Sequence, residues 1–214
     1  MKPYRVLRKQ PVLRQPAVLR RAALRDQLGE SLDAVRVIRR RFSKRPGLGF
    51  YLRSGYRLDL RFEANNDLGW DNWWETDIEA AYLPQSFFLF SVSPEHSNSA
   101  NMPDTAIGDT VLDARYRFQT RQAEKLKQLF ADPHLRERLH AEDRLLLRAT
   151  RENRLLALDN LPRRHGALRL RLRRELTASE DIQSSMGLVL RALQVMQQAR
   201  WIRPPFDAEG HRQR

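Results

Sequence analysis

The spacing of hydrophobic and polar residues changes period several times along this chain, and each change predicts a different element. From Ala22 the apolar residues Leu24, Leu28, Leu32, Val35, Ile38 and Phe42 follow one another by three or four positions, the mark of an amphipathic helix. Arg36, Arg39, Arg40 and Arg41 gather towards its end, where positive charge suits the helix dipole. Pro46, Gly47 and Gly49 then stop it.

Strands follow. Residues 55–63 alternate, with Tyr56, Leu58, Leu60 and Phe62 on one side and Arg57, Asp59, Arg61 and Glu63 on the other. Residues 75–83 pair back after the loop ANNDLGWDNWW, and the more continuously apolar run QSFFLFSV predicts a central strand. One more short strand is expected in DARYRFQT. Two short helices come next: Ala123, Leu126, Leu129 and Phe130 share a face, and Asp132-Pro133 reads as a cap followed by proline at the first helical position. DRLLLRAT and RLLALDN predict a hairpin, and ALRLRLRREL a further strand. Thr177 and Glu180 have capping-box spacing before a helix over about 178–202 that buries Ile182, Met186, Val189, Leu193 and Met196. Runs of strands and helices without βαβ alternation define an α+β class: antiparallel sheet packed by a long N-terminal helix, two short middle helices and a C-terminal amphipathic helix, with extended termini. The expected divisions are an arm at 1–21, one α+β domain at 22–202 (two strand-rich halves, 22–106 and 107–202) and a tail at 203–214.

The arm carries a repeat. Val6-Leu7-Arg8, Val12-Leu13-Arg14 and Val18-Leu19-Arg20 recur on a six-residue step, with Pro11 and Pro16 before two of them. Six is a multiple of the strand period of 2 and the polyproline II period of 3, so an extended chain presents all three triplets on one side. On a helix they would scatter, and the prolines disfavour helix. Such an arm lies along a partner's groove, adds to a sheet edge or follows an anionic surface.

Charge sharpens this picture. The 214 residues carry a net +13. Residues 1–46 hold 14 basic and 3 acidic side chains, whereas residues 47–106 hold 3 and 9, and residues 107–214 hold 22 and 14. An arm this basic seeks nucleic acid, anionic headgroups or an acidic protein. The absence of cysteine excludes disulfides, thiolate nucleophiles and sulfur-ligated zinc, and fits a reducing cytoplasmic setting. No apolar run approaches the roughly 18 residues of a membrane span, and no secretory signal core is present.

Candidate chemistry is sparse. Phosphate-binding glycine loops, a nucleophile elbow and His-Glu-x-x-His are all absent. His134 and His140 are six apart and point differently on one helix. The acidic loop fails as an EF-hand because Ala64 and Leu68 occupy ligand places. Its Trp70, Trp73 and Trp74 either form a protein-docking tip or cap one end of the core. Asp109 and Asp113 could be a carboxylate pair, although an aspartate after glycine is more often a turn and cap. Arg169, Arg171 and Arg173 form a row that binds phosphates, pairs with the acidic 47–106 region or faces water.

Over roughly residues 50–200 the order of pieces resembles an uncharacterised bacterial family with a Gly-Asp-x-x-Phe-Asp-x-x-Phe core. Gly108, Asp109, Asp113 and Phe118 stand in or near that frame, with Leu112 and Tyr116 in place of the phenylalanines. The resemblance implies two short helices, a strand hairpin and a final amphipathic helix. Members are often membrane-tethered, which implies that here the arm replaces a tether and docks the domain peripherally.

These readings converge on a non-catalytic interaction protein, an accessory or assembly subunit docked to a larger complex by its arm. It needs no cofactor or metal. Nucleic-acid binding through arm and arginine row, or attachment to an anionic membrane surface, are the alternatives.

Overall fold

A computed structural model describes residues 22–40, 47–65, 73–94, 101–142, 145–151 and 165–207. The nine arm positions, Trp70 and the expected strand at 154–160 lie outside the described residues. The first helix, α1 (Ala22–Ser31), ends well before Phe42. Leu32 still bonds back to the Leu28 carbonyl, but Asp33 turns to a φ of 51° and β1 (Ala34–Arg40) begins. Val35, Val37 and Ile38 explain the switch, because branching at Cβ costs side-chain freedom in a helix and suits a pleated strand.

β1 opens an antiparallel meander with β2 (Gly47–Leu52), β3 (Arg57–Asn65) and β4 (Trp73–Pro84). Trp73 and Trp74 therefore sit in a strand, opposite Asn65 and Ala64, rather than in a loop. The sheet continues through β8 (Gly166–Leu172), β7 (Leu145–Thr150), β5 (Phe90–Pro94) and β6 (Tyr116–Thr120). Every described pairing is antiparallel, and β9 (Ile202–Arg203) adds a short ladder to β4 at Leu83 and Pro84, giving nine strands among the described residues. β5 lies between β7 and β6, one strand from the end, and is shorter than the apolar run that suggested it. DARYRFQT is divided: its first residues belong to the helix α2 (Thr110–Arg115) and the rest to β6.

Period-2 alternation puts one apolar face of this sheet into the core. Leu58, Leu60 and Phe62 of β3, Ile78 of β4, Leu168 and Leu170 of β8, and Phe90 and Val92 of β5 are all buried there. α5 (Ser179–Gln198) brings Ile182, Met186, Val189, Leu193 and Met196 into the same cluster, as its spacing predicts. Its N-cap is Ala178, without a side-chain hydrogen bond, so the Thr177–Glu180 capping box is not formed. It ends at Gln198 with Ala199 as C-cap, and the φ of 57° at Arg200 lets the Trp201 N–H reach back to the Met196 carbonyl. α3 (Ala123–Phe130) and α4 (Pro133–Ala141) close the core with Leu126, Leu129, Phe130, Leu135 and Leu139. Asp132 caps α4 as expected, accepting from the Leu135 N–H and pairing with Arg191 of α5. The α+β class holds, with five helices among the described residues.

Candidate functional site

The opposite, charged face of the sheet is buried along β3 and β4. Asp59 is 2% exposed and accepts two hydrogen bonds from Arg57 at 3.1 and 2.7 Å. Arg61, also buried, lies 3.4 Å from Glu79. Gly49 on β2 makes room: a Cβ there would stand 3.0 Å from the Asp59 carboxylate and 2.9 Å from Ile38. Register then places Asp77 opposite Arg171 and Glu79 opposite Arg169 on β8. Arg169 and Arg171 both bond Asp77, the latter at 3.0 Å. Burial pushes the Asp77 carboxyl up, but its hydrogen bonds to Arg169 and Arg171 outweigh that and hold it below its usual range. At Glu79, 1% exposed, burial wins over Arg61 and Arg169 and raises the carboxyl to about 7, with Asp59 directly opposite adding repulsion.

So Arg169 and Arg171 pair with the acidic segment, one of the outcomes open from sequence. Arg173 falls beyond the end of β8 and is exposed. Arg148 on β7 stands opposite Arg169, and among the described residues its side chain meets only the Ser91 hydroxyl, at 3.4 Å. Burial, then Arg169 and Arg171, lowers its affinity for a proton.

Asp109 and Asp113 take the turn-and-cap role. Asp109 caps α2 through the Val111 and Leu112 N–H groups, and Asp113 accepts from the N–H groups of Ile107 and Gly108. Gly108 supplies the φ of 84° that this corner needs. The Leu112 N–H, with help from His140 at 3.2 Å, holds the Asp109 carboxyl low. His134 faces Glu137 instead, at 3.9 Å. Among the described residues no three metal-ligating side chains come together.

A different surface gathers binding features, and sequence reading passed over it. Between β4 and β5, residues 85–89 continue the strand alternation: Phe88 turns inward against Phe90 and Trp201, with ring centres 5.1 and 5.0 Å away, and Phe87 turns out, 52% exposed. The segment is held at several points. The Gln85 and Ser86 N–H groups bond the Trp201 carbonyl, Lys125 donates to the Ser86 hydroxyl, and Gln122 donates to the Phe87 carbonyl. Phe87 is therefore displayed on fixed backbone. The Arg151 guanidinium lies over its ring, 4.0 Å from the centre.

Cavities of about 370 and 400 Å³ flank Phe87 and share Phe87, Leu89 and Arg151 as walls. The first is mainly apolar, built from Tyr82, Pro84 and Phe88 with Thr150 and His165 at its margin. Gly166 lets the Tyr82 ring lie across the strand there, since a Cβ would fall 2.4 Å from it. The second adds Met102, Gln122 and Arg121. Neither Arg121 nor Arg151 meets a carboxylate among the described residues. The signal for this site in the sequence was the pair Phe87 and Leu89, set two apart inside an apolar run that reads as buried throughout.

Neither a family model nor a curated protein matches the sequence. Among solved structures, it is similar to the mycobacterial trehalose monomycolate transport factor A, TtfA, at a TM-score of 0.46 and 9% identity, over 83% of this chain and 96% of that one. Among the described residues no helix is long and apolar enough to cross a membrane.

Proposed function

We propose that this protein is a non-catalytic interaction protein, an accessory or assembly subunit that docks on a larger complex. The observation that carries the reading is Phe87, held out on rigid backbone beneath Arg151 and between two cavities. Exposed aromatic and arginine side chains are the residues that dominate protein interfaces, and a fixed anchor loses little entropy on binding. The arm supplies a second contact in this reading, with Val6, Leu7, Val12, Leu13, Val18 and Leu19 as its apolar half and Arg8, Arg14 and Arg20 as its charged half. The site of action is cytoplasmic, at the periphery of an assembly.

The test uses the full chain. Binding to mixed-sequence duplex DNA, to RNA and to phosphatidylcholine–phosphatidylglycerol vesicles is titrated against salt, alongside recovery of native complexes after crosslinking. One defined complex is expected, recovered by the wild type and lost on alanine substitution of Val6, Val12 and Val18 or on Phe87→Ser. Tight DNA, RNA or vesicle binding that falls steeply with salt, and is lost on charge reversal of Arg8, Arg14 and Arg20, would overturn the proposal.

A further inference from the structure

From the Phe87 surface, and resting on the docking role just proposed, we infer that the occupant is an extended protein segment carrying a bulky apolar side chain and a carboxylate two residues apart. Two cavities on either side of one ridge suit a strand-like segment, in which residues i and i+2 project the same way roughly 6.5 Å apart. The apolar cavity, with Tyr82 and Phe88 as walls, takes the first side chain. The second faces Arg121 and Arg151 and takes the carboxylate.

Charge complementarity selects the acidic partner. Elsewhere arginines of this protein are matched to carboxylates: Arg57 to Asp59, Arg169 and Arg171 to Asp77, Arg191 to Asp132. Arg121 and Arg151 are both exposed, and neither has such a partner among the described residues. Arg148, close by on β7, meets only a serine hydroxyl among the described residues, which adds a further cation without a described carboxylate partner. A carboxylate arriving here gains charge-assisted hydrogen bonds without breaking any ion pair among the described residues. A basic or purely apolar segment would leave the guanidiniums uncompensated.

The experiment is selection from a phage-displayed library of random linear peptides on the full-length protein, repeated on Phe87→Ser and on the double variant R121E/R151E. These side chains are exposed, so the variants are expected to fold, which circular dichroism checks. Wild type is expected to enrich peptides with a bulky apolar residue two positions from Asp or Glu. Their affinity should drop by more than about tenfold in R121E/R151E and be lost in Phe87→Ser. The charge-reversed variant should instead enrich Lys or Arg at the acidic position. Peptides that need Phe87 but show no acidic preference, or bind R121E/R151E equally well, would overturn the inference while leaving the docking role intact. No enrichment dependent on Phe87 would overturn both.

Discussion

Arg169 and Arg151 lie on neighbouring stretches of the sheet yet live in different electrostatic worlds. Arg169 shares Asp77 with Arg171 across the β4–β8 ladder, beside a buried run of alternating charge that includes Arg57, Asp59, Arg61 and Glu79. Arg151, just past the end of β7, touches an exposed phenylalanine and no described carboxylate. The first set is matched with opposite charge across β3, β4 and β8. The second meets no carboxylate among the described residues and stays exposed at the surface. In this protein, the location of charge says less about binding than whether the charge is already compensated.

The contrast is broken most severely at Asp59. Asp59→Ala leaves the buried Arg57 without its carboxylate partner and Arg61, 3.9 Å from Asp59, with Glu79 as its described carboxylate partner, and is expected to cost about 3–5 kcal/mol in urea unfolding. A cost below about 1 kcal/mol would show that the charged face contributes little to register.

Glu79 gives the next largest effect, and its direction differs. Its carboxyl is raised from 4.5 to about 7, so the unfolded chain loses this proton first as pH rises. Stability contributed by the neutral form is full below about pH 4.5 and is lost as pH climbs to about 7. Glu79→Gln should remove that slope and gain up to about 3 kcal/mol over wild type by pH 8, read from unfolding curves at several pH values. Parallel pH profiles for the two proteins would contradict it.

The smallest expected change sharpens the other side of the comparison. Arg151→Ala should shift unfolding by no more than about 0.5 kcal/mol, because its contacts are on the surface. A loss as large as that at Asp59 would place Arg151 among the structural arginines.

Much of this arrangement could be read from residue spacing. The apolar alternation of β3 and β8, the Asp132-Pro133 start of α4 and the buried stripe of α5 follow from local periodicity. The end of α1 did not, because a three- and four-residue stripe through Leu32, Val35 and Ile38 fits a helix and a helix–strand junction equally well. The charged face also stayed hidden. Arg57, Asp59 and Arg61 alternate in sign along one strand, but their burial depends on β4 and β8, and the partner of Asp77 lies on β8, far along the chain. The Phe87 surface was masked by its own composition, since apolar neighbours on both faces conceal a period of two. The arm repeat, the clearest pattern in the sequence, lies outside the described residues.

The strand order also sets a timetable for synthesis. β1 to β4 are sequential neighbours and can pair as they emerge, but the other edge of β4 must wait for β8, which the ribosome makes only after β5, β6 and β7. Until then that edge is open to a strand from another nascent chain. Glu75, Asp77 and Glu79 alternate along it, so an identical strand approaching it meets carboxylates with carboxylates. Residues that later join the charged face thus act first as a kinetic guard, protecting the half-made sheet from self-association until β8, with its arginines, arrives.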